Sequence, residues 1–78
     1  MTFGCVTKIR NQKAINSFAK KIKALRKEKG LSQYKLAYEA DIDRSQVISI
    51  EKGMLNPTIS TIYALAQALD VKPKDLLD

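Results

Sequence analysis

Residues 31–57, LSQYKLAYEADIDRSQVISIEKGMLNP, leave this chain few conformational choices. Two short amphipathic segments are separated by Asp41-Ile42-Asp43. The second closes on Glu51-Lys52-Gly53, before a loop and a further apolar run. Each segment opens with a residue suited to cap a helix, Ser32 and Asp43, and a glycine after the second is a natural helix stop. The pattern predicts two short helices across a tight turn, a loop, and then another helix.

The flanking sequence extends this to five helices with no strand pattern. The first begins at Asn11 or Asn16, both good caps, and runs to Lys29. Its apolar stripe is Ile15, Phe18, Ala19, Ile22 and Leu25, with Lys13, Lys20, Lys23 and Lys27 on the opposite side. Gly30 stops it. The second helix covers about 33–40, with Leu36 and Ala37 inward and Ala40 near its end. The third covers about 44–52, with Val47 and Ile50 inward, and Gln46 stands three residues after Asp43 as in a capping box. Thr58 caps the fourth, about 59–69, whose stripe is Ile59, Ile62, Tyr63, Leu65, Ala66 and Leu69. Pro73 suits the first turn of a short last helix ending at Leu77. The expected architecture is an all-α, compact five-helix bundle over residues 11–78, preceded by a loosely ordered arm, residues 1–10.

Seventy-eight residues suffice for one small domain. A single cysteine, Cys5, and no histidine exclude an internal disulfide and a Cys/His zinc cluster, so neither metal nor cofactor is expected. The start, MTFGCVTKIR, is too short and interrupted for a signal peptide, and no apolar run approaches the ~20 residues that span a membrane. A cytoplasmic protein is expected. Enzymatic chemistry has little to work with: Cys5 has no evident base, the three glycines form no phosphate-cradling loop, and Asp41 and Asp43 sit at a turn where Asp is ordinary.

The net charge of +6 and pI of about 9.6 favour a polyanionic partner. That charge is unevenly placed. Residues 1–30 hold nine Lys/Arg against Glu28 alone, a net +8, whereas residues 31–78 hold five against seven acidic residues, a net −2. The most diagnostic stretch is therefore not itself basic.

From about Phe18 to Leu77 the chain resembles the phage-repressor/Cro-type helix-turn-helix family. The resemblance is carried by Arg26, Gly30-Leu31-Ser32-Gln33, Leu36-Ala37, Ile42, Ser45, Val47 and Ser49-Ile50-Glu51-Lys52-Gly53. Pro57-Thr58-Ile59, Leu65-Ala66, Ala68-Leu69 and Leu76 complete it. It implies a lambda-repressor-like bundle that binds operator DNA, usually as a symmetric dimer, with the third helix in the major groove.

The residues agree with that implication. On a helical wheel Ser45, Ile48, Ser49 and Lys52 turn away from Val47 and Ile50, giving the third helix a small, mostly polar outer face. Such a face suits base edges, with Ile48 against a thymine methyl. Arg44, in the first turn, is the side chain suited to a bidentate guanine contact. Base contacts are thus expected from Arg44, Ser45, Ile48 and Ser49. Phosphate contacts are expected from Gln33, Gln46, Lys52, Asn56 and Thr58, although Gln46 and Thr58 are also placed to serve as caps. Lys13, Lys20, Lys35 and Tyr38 are weaker candidates, and Lys8 and Arg10 form a candidate basic arm.

Arg26 and Glu51 both fall toward the apolar side of their helices, where unpaired charge is costly, and a structural ion pair between them is expected. Val71, Leu76 and Leu77 are the candidate dimer surface. The partners expected are double-stranded DNA and a second copy of the chain. The alternative is an adaptor or antitoxin whose main partner is another protein and whose DNA binding is secondary.

Overall fold

The computed structural model describes residues 11–77. They form α1 (Gln12–Glu28), α2 (Gln33–Ala40), α3 (Arg44–Glu51), α4 (Ile59–Leu69) and α5 (Pro73–Leu77), with no strand among the described residues. The expected arm, residues 1–10, with Cys5, Lys8 and Arg10, lies outside the described residues, as does Asp78. None of the helices is long and apolar enough to cross a membrane.

Capping chemistry sets the helix starts. Asn11 Oδ1 accepts from the Ala14 N–H at 3.0 Å, so α1 begins after Asn11 rather than Asn16. Ser32 Oγ accepts from Lys35 N–H at 3.0 Å, and Thr58 Oγ1 from Thr61 N–H at 3.2 Å. At α5 the Asp75 carboxylate reaches back to the Lys72 N–H at 3.1 Å, placing negative charge in the first turn, where the helix dipole favours it. Asp43 departs from this pattern. It makes no side-chain cap bond, so the expected Asp43–Gln46 capping box does not form. The start of α3 rests instead on Gln46 and Val47 N–H groups bonded to the Asp43 carbonyl at 3.0 and 3.3 Å. At its other end α3 stops at Glu51, with Lys52 as the cap, one residue earlier than expected.

Four helices end by one device. Gly30, Asp41, Gly53 and Asp70 hold φ near +72°, +58°, +73° and +59°. The next residue's N–H then bonds back five residues: Leu31 to Arg26 O, Ile42 to Ala37 O, Met54 to Ser49 O and Val71 to Ala66 O, at 2.9–3.0 Å. This is the Schellman arrangement, which satisfies carbonyls that a helix end would otherwise leave open. Leu31, Ile42 and Val71 then pack on the core, so each turn delivers an apolar side chain inward.

All five helices contribute to that core: Phe18 and Ile22 of α1, Leu36 and Ala37 of α2, Val47 and Ile50 of α3, Leu65 and Leu69 of α4, and Leu76 of α5. A fully buried aliphatic side chain contributes ~1.5–3 kcal/mol. α3 packs against α1 and α2, and α4 against α2 and α5, so the tight-turn pair is mounted on the rest of the bundle.

Two expectations are corrected here. Leu76 is only 1% exposed; it anchors α5 in the core and offers nothing to a partner. Ile59 and Tyr63 were placed on the inward stripe of α4 but are 74% and 61% exposed. The buried line of α4 runs through Thr61, Leu65, Ala66 and Leu69, and at 100° per residue Tyr63 lies ~120–160° from Leu65 and Leu69. Thr61 tolerates burial because its hydroxyl meets Thr58 Oγ1 at 3.1 Å.

Candidate nucleic-acid interface

α3 presents a stripe to solvent at positions i, i+3, i+4 and i+7. Ser45 and Lys52 are exposed, while Ile48 and Ser49 are half-buried. Ile48 is not among the side chains packed on the core. Arg44, one residue before the stripe, is exposed at the first turn. The stripe is ~10 Å long at 1.5 Å per residue. With Arg44 it combines one guanidinium, two hydroxyls, one sec-butyl group and one ammonium, a set that can hydrogen-bond to base edges and touch a methyl group.

The inner side of α3 is fixed by charge. Arg26 Nε donates to Glu51 Oε2 at 2.6 Å and Arg26 Nη2 to Glu51 Oε1 at 3.1 Å, a bidentate pair; Nη1 donates to the Leu31 carbonyl at 2.8 Å. The two side chains are 12% and 1% exposed. A planar guanidinium matches a carboxylate in this fork geometry, which restricts orientation as well as lowering energy. The pair ties the C-terminal turn of α3 to α1.

Gln33 joins the same network. Its side-chain amide donates to Glu51 Oε1 at 3.1 Å. Since that amide carries two N–H groups, one can serve Glu51 while the other points elsewhere. The sequence suggested Gln33 as a phosphate ligand but not as a partner of Glu51; the link spans 18 residues and no local pattern encodes it.

The remaining expected residues divide. Asn56 and Lys52 are exposed at the end of α3 and in the loop after it, and Gln46 is half-buried on α3. Thr58 is exposed, but its oxygen is engaged as the α4 cap. Lys13 and Lys20 are exposed on α1. Lys35 is paired with Glu39 at 3.4 Å and lies 5.4 Å from the centre of the Tyr38 ring, so its charge is partly occupied on α2 itself. Val71 is half-buried at the core edge, and Leu77 is 64% exposed.

This arrangement of two short helices across a tight turn, the second braced from behind and polar in front, matches the helix-turn-helix family model HTH_3 over residues 22–76. The chain belongs to the HTH_3 helix-turn-helix family. It is 42% identical over 62 residues to the control protein C.BamHI of Bacillus amyloliquefaciens, covering 78% of this chain and 76% of that one. The crystal structure of the restriction-modification controller protein C.AhdI from Aeromonas hydrophila superposes with a TM-score of 0.78 at 40% identity, covering 80% of this chain and 94% of that one. The biofilm regulator SinR, crystallised in complex with DNA, matches with a TM-score of 0.75 at 39% identity, covering 78% of this chain and 98% of that one. Membership in HTH_3 makes this chain a DNA-binding transcriptional regulator.

Proposed function

We propose that this regulator binds a two-fold related operator as a small homodimer, with one α3 in the major groove of each half-site. The observation that carries the reading is the outer stripe of α3, Arg44, Ser45, Ile48 and Ser49, held outward by a helix whose back is clamped through Glu51. Arg44 reads guanine, the two serines bond base edges, and Ile48 meets a methyl group. Lys52 and Asn56 contact phosphate beyond the helix end, and Gln33 supplies its second amide N–H at the start of α2, where backbone N–H groups also favour an anion. Gln46 is a further phosphate candidate. The lysines of α1 supply the salt-dependent part of affinity.

The dimer surface is read from exposed apolar side chains on α4 and α5. Leu77 stands out from solvent-facing α5, and Ile59 and Tyr63 lie i, i+4 on α4, while Val71 is half-covered beside Tyr63 at the α4–α5 corner. Likeness to C.BamHI and C.AhdI favours a controller-type regulator over the other kinds, acting in the cytoplasm.

The test is selection of bound duplexes from a random double-stranded DNA pool by the purified protein. A palindrome with half-site centres ~34–36 Å apart is expected. Retention of DNA without any enriched sequence would overturn the reading and favour an adaptor or antitoxin role with a protein partner.

A further inference from the structure

The C-terminal end of α3 is held at a second point, far along α1 from Arg26. Gln12 Nε2 donates to the Gly53 carbonyl at 2.9 Å and to Asn16 Oδ1 at 2.9 Å. Gly53 is buried, at φ +73°, and a Cβ there would lie 2.5 Å from Asn16 Oδ1. A Cβ at residue 53 would therefore displace the Asn16 side-chain amide that shares Gln12 Nε2 with the Gly53 carbonyl. Gln12 and Arg26 are 14 residues apart, ~21 Å along α1. They hold Gly53 and Glu51, two residues apart, from opposite ends of one helix. These two bonds add to the packing of Val47 and Ile50, which already seats α3 on the bundle.

We infer that Gln12 is a positioning residue for DNA recognition: its amide latches the first turn of α1 to the carbonyl after the recognition helix and so sets how Lys52 and residues 54–56 meet the duplex. The inference rests on the placement of α3 against DNA proposed above. The Gly53 carbonyl lies beyond the Lys52 cap of α3, and Gln12 donates to it from α1. The same turn is closed by Gly53 N–H to Ile50 O at 3.0 Å and Met54 N–H to Ser49 O at 2.9 Å, and these two amides therefore report on the latch.

Two variants separate positioning from simple stability. Gln12→Ala removes the donor while improving helix propensity. Gln12→Glu places a carboxylate in a first turn that has no acidic residue, which favours α1, yet presents oxygens to the Gly53 carbonyl and cannot donate. In the full chain, amide exchange at Gly53 and Met54, followed by NMR, should quicken roughly three- to tenfold in both variants, the effect of losing one ordinary hydrogen bond. Thermal midpoints should fall by only a few degrees in either variant, because helix propensity in Gln12→Ala and the helix dipole in Gln12→Glu offset part of one hydrogen bond. On the duplex selected by the wild-type protein, Gln12→Ala should bind roughly three- to tenfold more weakly.

Unchanged exchange would overturn the latch. Faster exchange with unchanged affinity would overturn its role in DNA recognition. If the wild-type chain selects no duplex, the recognition reading itself fails and the positioning role with it, while the exchange data still decide whether the latch exists.

Discussion

The Arg26–Glu51 pair is the contact whose loss should be felt most. In Arg26→Met the Glu51 carboxylate keeps only the Gln33 amide of the three side-chain donors described here, and with its side chain 1% exposed it has almost no access to water. Removing one partner of a buried pair costs ~3–5 kcal/mol, because the other charge stays behind uncompensated. A domain of this size has a total stability of roughly 4–12 kcal/mol, so the variant forfeits about a quarter or more of it. The thermal midpoint should fall by at least ~12 °C, at ~4–8 °C per kcal/mol. Glu51→Leu should cost less than Arg26→Met, since Arg26 is 12% exposed and still bonds the Leu31 carbonyl. The double variant, Arg26→Met with Glu51→Leu, should recover much of the loss, because an apolar pair avoids desolvating two charges. Urea unfolding of all four proteins gives the coupling energy directly. Single variants within ~1 kcal/mol of wild type, or a double variant that equals the sum of the singles within ~0.5 kcal/mol, would refute the reasoning.

Three further outcomes are expected. Arg44→Ala should leave stability within ~0.5 kcal/mol, as the side chain is exposed, yet cost ~1–3 kcal/mol of discrimination at one base pair, seen by titrating operator variants. Gly53→Ala should destabilise more than Gly30→Ala: both pay ~1–2 kcal/mol for a left-handed alanine, but only at Gly53 does the new Cβ meet an atom, Asn16 Oδ1, within 4 Å. Equal melting points for the two would refute a cost for displacing the Asn16 side chain. Leu77→Asp should shift the chain toward monomer in sedimentation equilibrium without unfolding it, because Leu77 is 64% exposed while the neighbouring Leu76 holds the core; an unchanged mass would remove Leu77 from the dimer surface.

Local chemistry made most of this fold readable in advance. Ser32, Thr58 and Pro73 mark the starts of α2, α4 and α5, because a cap needs only a side chain and an N–H three residues away. The Arg26–Glu51 pair was also readable, since each charge falls on an apolar face. What escaped the sequence depends on partners distant in the chain. The choice between Asn11 and Asn16 as the start of α1 goes with Gln12 reaching a carbonyl 41 residues away. Gln33 turning to Glu51 is of the same kind. The error on α4 has a different origin. Six apolar residues offered a stripe wider than its neighbours in a small bundle can cover, so Ile59 and Tyr63 were left outside while Thr61, with a local hydroxyl partner, went in. Asp43 lies in the cap position by backbone geometry alone; nothing in the structure explains why its carboxylate makes no cap bond.

The shortness of α3 has a consequence for addressing. Eight residues make a rod ~12 Å long, which lies along roughly four base steps at 3.4 Å each. A word of four letters recurs by chance on the order of once in 250 base pairs, far too often in a genome that offers about a million or more competing sites. Two such words at a fixed offset recur on the order of once in 65,000. In the proposed dimer the second copy doubles the length of the word, but only if the spacing between the copies is fixed, so the residues that set that spacing are as much a part of the address as Arg44.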